Sequence, residues 1–208
     1  EPEFFLPIIP SVLLNGSSGI AVGFASNVLN RNVEQLINSC VKVLDGKKIK
    51  SIKPSYAEFT GEFIQDEENN KRWIIRGEFE RVNTSTVRIT ELPPSMTYEK
   101  YEDHLDKISD NKDIVSYDDN CKDNIDYTIK FNRSVLADLD DTKLRKLLKL
   151  EESSTEIFST LDEFGKLKIF ETCEEIVEYF VNFRLTYYHT RKEFLLEKLN
   201  RELKILSN

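Results

Sequence analysis

The 208-residue sequence contains few residues that break or cross-link a chain, with seven glycines, six prolines and three cysteines. So few glycines and prolines exclude a fibrous or low-complexity protein. The cysteines are odd in number, widely separated and in no CxxC pair, which argues against a structural zinc site and favours a reducing, intracellular setting. Because no window of 18 residues is apolar throughout, we expect no transmembrane helix.

The net charge of −8 is concentrated in the middle of the chain. Residues 1–53 carry six basic and four acidic residues (+2), residues 54–181 carry 17 and 30 (−13), and residues 182–208 carry six and three (+3). The total charge argues against a nucleic-acid partner. Its distribution, however, leaves both ends of the chain able to contact a polyanion.

The spacing of apolar residues predicts an α/β fold with a largely antiparallel sheet in the middle and helices on either side. Asn32 and Thr97 are predicted N-caps. The predicted elements are a buried extended segment over 4–14, helices over 33–44, 97–109, 135–150 and from about 172 to the end, strands over 58–65, 72–82, 86–91, 113–117 and 125–131, and a hairpin formed by 154–160 and 166–170.

The sequence offers no pattern typical of a catalytic or metal site. The glycine-rich segment is followed by Phe24 and Ala25, whereas a phosphate loop requires Lys and Ser or Thr. The acidic pairs Asp118-Asp119 and Asp140-Asp141 do not converge from separate elements in the way that a metal requires. No Ser-His-Asp or Cys-His pattern is present. We therefore predict no catalytic residue and no metal ligand in this chain.

The segment from Asn15 to Gly19, with the sequence Asn-Gly-Ser-Ser-Gly, is the most distinctive local feature. It is predicted to form a tight turn that presents Ile20. Two interpretations remain open at this point. Either the turn only leads the chain into the core, or Ile20 forms an apolar wedge that enters a base step and kinks a duplex.

Several separate stretches resemble the breakage-and-rejoining part of type IIA DNA topoisomerases. They include EPEFFLPIIP (1–10), LLNGSSGIAVGFASNVLNRN (13–32), ITELPP (89–94), LDEFGKLKIFETCEEIVEYF (161–180) and RKEFLL (191–196). The aromatic pair Phe4-Phe5 is more similar to the eukaryotic and T4-type phage members than to bacterial gyrase A, and the T4-type medium subunit is the form that the chain resembles most. The resemblance covers nearly the whole sequence.

The resemblance implies three regions. Residues 1–32 correspond to the C-terminal part of a winged-helix DNA-gate domain, residues 33–170 to an α/β tower domain, and residues 171–208 to the start of a coiled-coil helix. This organisation agrees with the basic first region, the acidic middle and the long predicted C-terminal helix.

The resemblance also implies a reaction. Enzymes of this family cut both strands of one duplex through a phosphotyrosyl link, pass a second duplex through the break, and reseal it. The nucleophilic Tyr is expected before residue 1, and Mg²⁺ and ATP are expected to bind other regions or subunits, so we expect this chain to be inactive alone. The implied partners are double-stranded DNA, a second copy joined through the DNA gate and coiled coil, and an ATPase/TOPRIM-bearing subunit or region. The implied location is the cytoplasm of a bacterial or phage-infected cell, close to the nucleoid.

The residues implied to contact DNA lie near the start of the chain. Ile20 matches the intercalating Ile of the family, and the family's proline-containing stretch is replaced here by Val28-Leu29-Asn30-Arg31-Asn32, which makes Arg31 a candidate phosphate contact. The remaining candidates are Asn15, Gly16, Ser17, Ser18, Gly19 and Lys47. The alternative function is a non-enzymatic α/β interaction module that dimerises through its C-terminal helix.

Overall fold

The two ends of the chain come together in one compact unit, and the middle forms another. The structure, a computed structural model, describes residues 5–207. The first unit combines the residues up to Tyr56 with those from Ile157 onward, and the second consists of Ala57–Glu156. The predicted boundaries at residues 32 and 170 do not coincide with these divisions, because the helix that follows residue 32 packs on the C-terminal helix.

Helices and antiparallel strands alternate along the chain, which confirms the predicted α/β class. The helices are α1 (Ser11–Asn15), α2 (Val33–Leu44), α3 (Tyr98–Asp110), α4 (Arg133–Asp138), α5 (Asp141–Leu147) and α6 (Cys173–Leu206). The strands are β1 (Ser17–Ala21), β2 (Phe24–Val28), β3 (Glu62–Gln65), β4 (Arg72–Arg76), β5 (Phe79–Asn83), β6 (Thr86–Ile89), β7 (Ser116–Asp119), β8 (Tyr127–Lys130), β9 (Glu151–Thr155), β10 (Phe158–Leu161) and β11 (Leu167–Phe170).

The core of the first unit lies between α2 and the first half of α6. Helix α2 begins where predicted, since the Asn32 side chain accepts hydrogen bonds from the backbone N–H groups of Glu34 (2.9 Å) and Gln35 (3.2 Å). Leu36 and Val177 are fully buried. The other buried residues of this core are Leu13, Val28, Cys40, Ile52, Phe158, Phe170, Cys173, Ile176 and Val181.

The prediction of a buried extended segment over residues 4–14 is wrong in two respects, apart from residue 4, which lies outside the described residues. Phe5 and Ile8 are exposed. Residues from Ser11 onward form the short helix α1, with Pro10 as its N-cap. A proline is harmless before a helix, because the N–H group that it lacks would have no partner there. The two prolines therefore limit where the helix begins rather than forbid it.

The second unit contains two antiparallel sheets, with strand orders β3-β4-β9 and β5-β6-β8-β7. The larger sheet packs on α3, α4 and α5, and the rings of Tyr101 and Tyr127 meet in that core with centroids 5.2 Å apart. The remaining buried residues of this core are Val87, Ile89, Leu92, Leu105, Ile108, Ile114, Ile129, Phe131, Leu136, Leu144, Leu148 and Leu150.

Two predicted elements of the second unit are divided in the structure. The strand predicted over 72–82 separates at Gly77 into β4 and β5, which belong to different sheets. A Cβ at Gly77 would collide with the backbone of Glu91, so the close approach there requires glycine. The helix predicted over 135–150 separates into α4 and α5, because the Asp140 side chain accepts a hydrogen bond from the Lys143 N–H (2.7 Å) and caps a new helix.

Helix α6 has 34 residues and is therefore about 51 Å long at 1.5 Å per residue. The prediction of one long helix from about residue 172 is confirmed. Every residue from Leu185 to Ser207 is exposed, including the predicted stripe of Leu196, Leu199, Leu203 and Leu206. Across residues 5–207, the helices are all too short or too polar to cross a bilayer.

Candidate nucleic-acid interface

Strands β1 and β2 form a hairpin that displays apolar side chains to solvent. Ile20 pairs with Ala25, and the chain reverses at Val22 and Gly23. All five residues of β1 are exposed, and the Ile20 side chain is 95% exposed. The prediction of a tight turn at Asn15–Gly19 is therefore wrong. Asn15 ends α1, and Ser17, Ser18 and Gly19 are the first three residues of β1. The turn itself lies three residues further along the chain.

The backbone conformation requires glycine at two of the three glycine positions in and beside the hairpin, but not at the third. Gly16 has φ +69°, and a Cβ there would lie 2.5 Å from Asn30 Oδ1 and 2.8 Å from the Val28 carbonyl oxygen. Gly23 has φ +99° in the turn. Gly19 has neither constraint, since a Cβ there would meet no atom within 4 Å. The fold does not require glycine at position 19, so its bare backbone is available for close approach by another molecule.

The base of the hairpin is fixed to the first unit by backbone hydrogen bonds. The Asn27 N–H donates to the Ile157 carbonyl (3.0 Å), and the Ile157 N–H donates to the Asn27 carbonyl (2.8 Å). The Arg31 N–H donates to the Leu13 carbonyl (2.7 Å), and Val28 is buried beside these contacts. Ile20 therefore lies on a hairpin whose base is fixed by backbone hydrogen bonds to the rest of the first unit.

Polar groups that could donate hydrogen bonds accompany Ile20. Ser17 and Ser18 are exposed on opposite faces of β1, and Asn15 is exposed at the end of α1. Hydroxyl and amide groups of this kind contact phosphate oxygens, which position a protein on a duplex without reading its sequence. The structure thus gathers Asn15, Gly16, Ser17, Ser18, Gly19 and Ile20 in one continuous element.

Arg31 does not belong to this surface, so its prediction as a phosphate contact is not supported. The residue is only 3% exposed. Its Nε donates to the Ile52 carbonyl (2.9 Å) and its Nη1 to the Leu29 carbonyl (2.8 Å). The guanidinium therefore ties the loop around residue 52 to the chain that leaves the hairpin.

Lys47 lies apart from the hairpin. It is exposed in the loop that follows α2, and its Nζ lies 2.9 Å from Asp45 Oδ2. The length of α2, about 18 Å for 12 residues, separates this loop from the residues that follow β2. The structure therefore does not bring Lys47 together with Ile20 on one small patch.

The described titratable groups show no activated nucleophile. Hydrogen bonding to Asp106 raises the pKa of Tyr117 to about 12, and hydrogen bonding to Glu163 raises the pKa of Tyr179 to about 12. Burial raises the pKa of the Cys40 thiol. A nucleophile needs the opposite shift or an adjacent base. Within residues 5–207, no group of three or more His, Cys, Asp or Glu residues is placed to hold a metal ion.

Sequence reasoning did not place the β10–β11 hairpin beside this surface. Ile157 leads into β10 and joins β2 through Asn27, so the second hairpin lies directly next to the first. Its exposed apolar residues include Leu161 and Ile169. The hairpin itself was predicted from the sequence, but its pairing with β2 was not.

Fold and site together define an α/β protein with an exposed apolar hairpin and a long helix whose second half is exposed. The family model for the DNA gyrase/topoisomerase IV A-type subunit matches residues 1–208. The chain belongs to this family, which confirms the resemblance found in the sequence.

Individual relatives agree with this assignment. The chain is 32% identical to the DNA topoisomerase medium subunit of Enterobacteria phage T4 over 91% of its length, and 32% identical to rat (Rattus norvegicus) DNA topoisomerase 2-alpha over its whole length. It spans 43% of the phage protein but only 14% of the rat protein. The solved DNA-binding, cleavage and re-ligation domain of Plasmodium falciparum topoisomerase II matches 97% of the chain with a TM-score of 0.89 and 28% identity, over 28% of its own length.

Proposed function

We propose that this chain is part of the DNA cleavage and rejoining subunit of an ATP-dependent type IIA topoisomerase, where it binds and bends the duplex that is cut. The observation that carries the proposal is the β1–β2 hairpin, in which the exposed Ile20 follows a glycine that the fold does not require. The relatives support duplex DNA as the partner, because they are named DNA topoisomerases.

The free energy gained by burying Ile20 is comparable to the cost of opening a base step, so insertion of this side chain into DNA is energetically feasible. Burying an exposed Ile side chain gains about 1.5–3 kcal/mol, whereas unstacking one base step costs a few kcal/mol. Insertion of Ile20 therefore roughly offsets the unstacking. Phosphate contacts along the bent duplex, from groups such as Ser17 and Ser18, supply the remaining stabilisation. Preference among DNA sites then follows how easily the duplex deforms.

The chemistry of cleavage is assigned to other parts of the enzyme. Hydrogen bonds to carboxylates raise the pKa of Tyr117 and Tyr179, a shift that disfavours the phenolate form of these two side chains. The proposal places the nucleophilic Tyr, the Mg²⁺ ions and the ATP site in other regions or subunits. It further includes a homodimer formed through the DNA gate and the coiled coil, an ATPase/TOPRIM-bearing partner, and action in the cytoplasm on nucleoid or phage DNA.

The wedge assignment is tested by measuring duplex bending with fluorescence transfer between labelled ends. Ile20→Ala removes three carbon atoms from the exposed side chain, so the bent fraction at saturating protein should fall about tenfold. Val82→Ala on β5, which also shortens an exposed branched residue on a strand, serves as the control and should bend DNA normally. Circular dichroism should show both variants folded.

Unchanged bending by Ile20→Ala would remove Ile20 from the interface. Absence of bending by the unaltered chain at low salt would favour the alternative, a non-enzymatic module that dimerises through α6. The observation in favour of that alternative is the exposed leucine stripe that includes Leu199 and Leu203. Sedimentation of Leu199→Glu beside the unaltered chain tests dimerisation through α6, which both functions include, so the bending assay is what distinguishes them.

A further inference from the structure

The β10–β11 hairpin carries apolar side chains on its solvent face, where a sheet normally places polar ones. Phe158 pairs with Phe170, and both are buried. The alternate pairs, Leu161 with Leu167 and Ser159 with Ile169, therefore point the other way. Leu161 is 67% exposed and Ile169 is 64% exposed. We call this side of the first unit the outer face.

Ile20 lies on the same outer face. In antiparallel sheets, paired residues point to the same side and neighbours along a strand alternate. Asn27 pairs with Ile157, and Val28 and Phe158, one residue further along each strand, are both buried. Asn27 and Ile157 thus point outward. Ala25, two residues before Asn27 on the same strand, also points outward, and so does its partner Ile20.

The free ends of the two hairpins also lie at the same end of the sheet. Strand β10 runs antiparallel to β2, so the end of β10 lies beside the start of β2. One groove is lined by residues of both hairpins, among them Ile20 from the first and Leu161 and Leu167 from the second. Leu161 therefore shares the outer face with Ile20, on a strand that is separated from β1 by β2.

We propose that the outer face of the β10–β11 hairpin is a second DNA-contacting surface, on which Leu161, Leu167 and Ile169 pack against deoxyribose groups of the minor groove beside the step opened by Ile20. This inference rests on the proposed function. The occupant is a duplex because the face is continuous with the wedge, and because apolar side chains on sheets contact minor grooves that a kink has widened.

The spacing of the strands sets where these contacts fall. Neighbouring strands are about 4.8 Å apart, so β10 lies roughly 10 Å from β1 across β2. Base pairs rise about 3.4 Å per step. Sugars about three to four base pairs from the kinked step therefore lie over Leu161 and Ile169. Ser159, between these apolar positions on the same face, adds a hydroxyl donor.

The nature of the contact predicts a specific salt dependence. Each phosphate contact that is lost changes the slope of log K against log salt by about 0.9. An apolar contact with sugar releases no counterion, so its loss lowers affinity at every salt concentration without changing that slope. This behaviour separates the proposed contact from an indirect effect on phosphate binding by Ser17 or Ser18.

The test combines Leu161→Thr and Ile169→Thr, since threonine is polar but has the β-branched side chain that strands favour. Val82→Thr, an exposed strand residue of the second unit, is the matched control. The double variant should bind a bendable duplex about five- to tenfold more weakly with an unchanged salt slope. Hydroxyl-radical footprinting should show lost sugar protection three to four base pairs from the kink, and Val82→Thr should retain it.

The outcomes separate this inference from the function on which it rests. If the double variant binds and protects DNA like the unaltered chain while Ile20→Ala abolishes bending, the second surface is refuted and the wedge stands. If neither change affects DNA, the proposed function fails with it. If the double variant changes the sedimenting mass but not DNA binding, the outer face is a protein interface and the inference is overturned.

Discussion

The two units of the molecule treat their apolar side chains in opposite ways. The second unit buries its own between the larger sheet and helices α3, α4 and α5, so that Val87 and Ile129 are fully enclosed. The first unit has a core of its own but also displays Ile20, Leu161 and Ile169 on one sheet face. Exposed apolar residues on one face indicate a binding surface when the same chain shows that it can bury others.

The two units also differ in net charge. The second unit carries 15 basic and 24 acidic residues, a net charge of −9, whereas the first carries 14 and 13, a net charge of +1. A polyanion is therefore repelled by one unit and tolerated by the other. The whole-chain charge of −8 describes mainly the unit that has no proposed role in binding DNA.

The largest expected effect is a difference in unfolding free energy between a substitution of a buried residue and a substitution of an exposed one. Leu144→Ala in the second unit should cost about 2–5 kcal/mol of unfolding free energy, because it leaves a cavity in a fully enclosed core. Ile20→Ala should change the same quantity by less than about 0.5 kcal/mol. Urea unfolding of both variants measures the difference. A large loss of stability in Ile20→Ala would mean that Ile20 packs against protein, and the contrast between the units would disappear.

A smaller difference in stability is expected between alanine substitutions at Gly16 and at Gly19. Gly16→Ala should destabilise the first unit by about 2–3 kcal/mol, because its positive φ and the nearby Asn30 and Val28 atoms both oppose a side chain. Gly19→Ala should leave stability unchanged, because a Cβ there meets no protein atom within 4 Å, yet under the proposed function it should weaken duplex binding, because a side chain limits how closely a phosphate approaches the backbone. Thermal unfolding and a binding titration on both variants provide the measurement. Equal DNA binding by Gly19→Ala would contradict close approach at this strand.

Local signals in the sequence were sufficient for many elements of the fold. The caps Asn32 and Thr97 begin α2 and α3 as predicted, because a side chain that bonds the first N–H groups acts within one turn. The divisions at Gly77 and Asp140 were missed, because apolar spacing continues across both positions. What divides them is the approach of Glu91 in one case and a single capping carboxylate in the other.

The sequence indicated a centre for the candidate site, which stays a prediction, but not the residues that lie beside that centre in the fold. The family resemblance assigned Ile20, and its exposure on β1 agrees with that role. Neighbours distant in sequence were not visible, and the pairing of Asn27 with Ile157 brings Leu161 beside Ile20 across more than 100 residues. Arg31 shows the converse error, since charge alone suggested a surface role for a side chain that three backbone carbonyls hold inside.

The smallest effect tests that correction. Arg31→Met keeps the length of the side chain but removes its hydrogen bonds to the carbonyls of Ile52 and Leu29, and leaving buried acceptors unpaired should cost about 1–2 kcal/mol. DNA affinity of the folded variant should stay within a factor of two, with the salt slope unchanged. A phosphate contact at Arg31 would instead reduce that slope by about 0.9 and leave stability nearly unaffected. Because the two roles predict different changes, one urea curve and one salt titration decide whether Arg31 stabilises the fold or contacts phosphate.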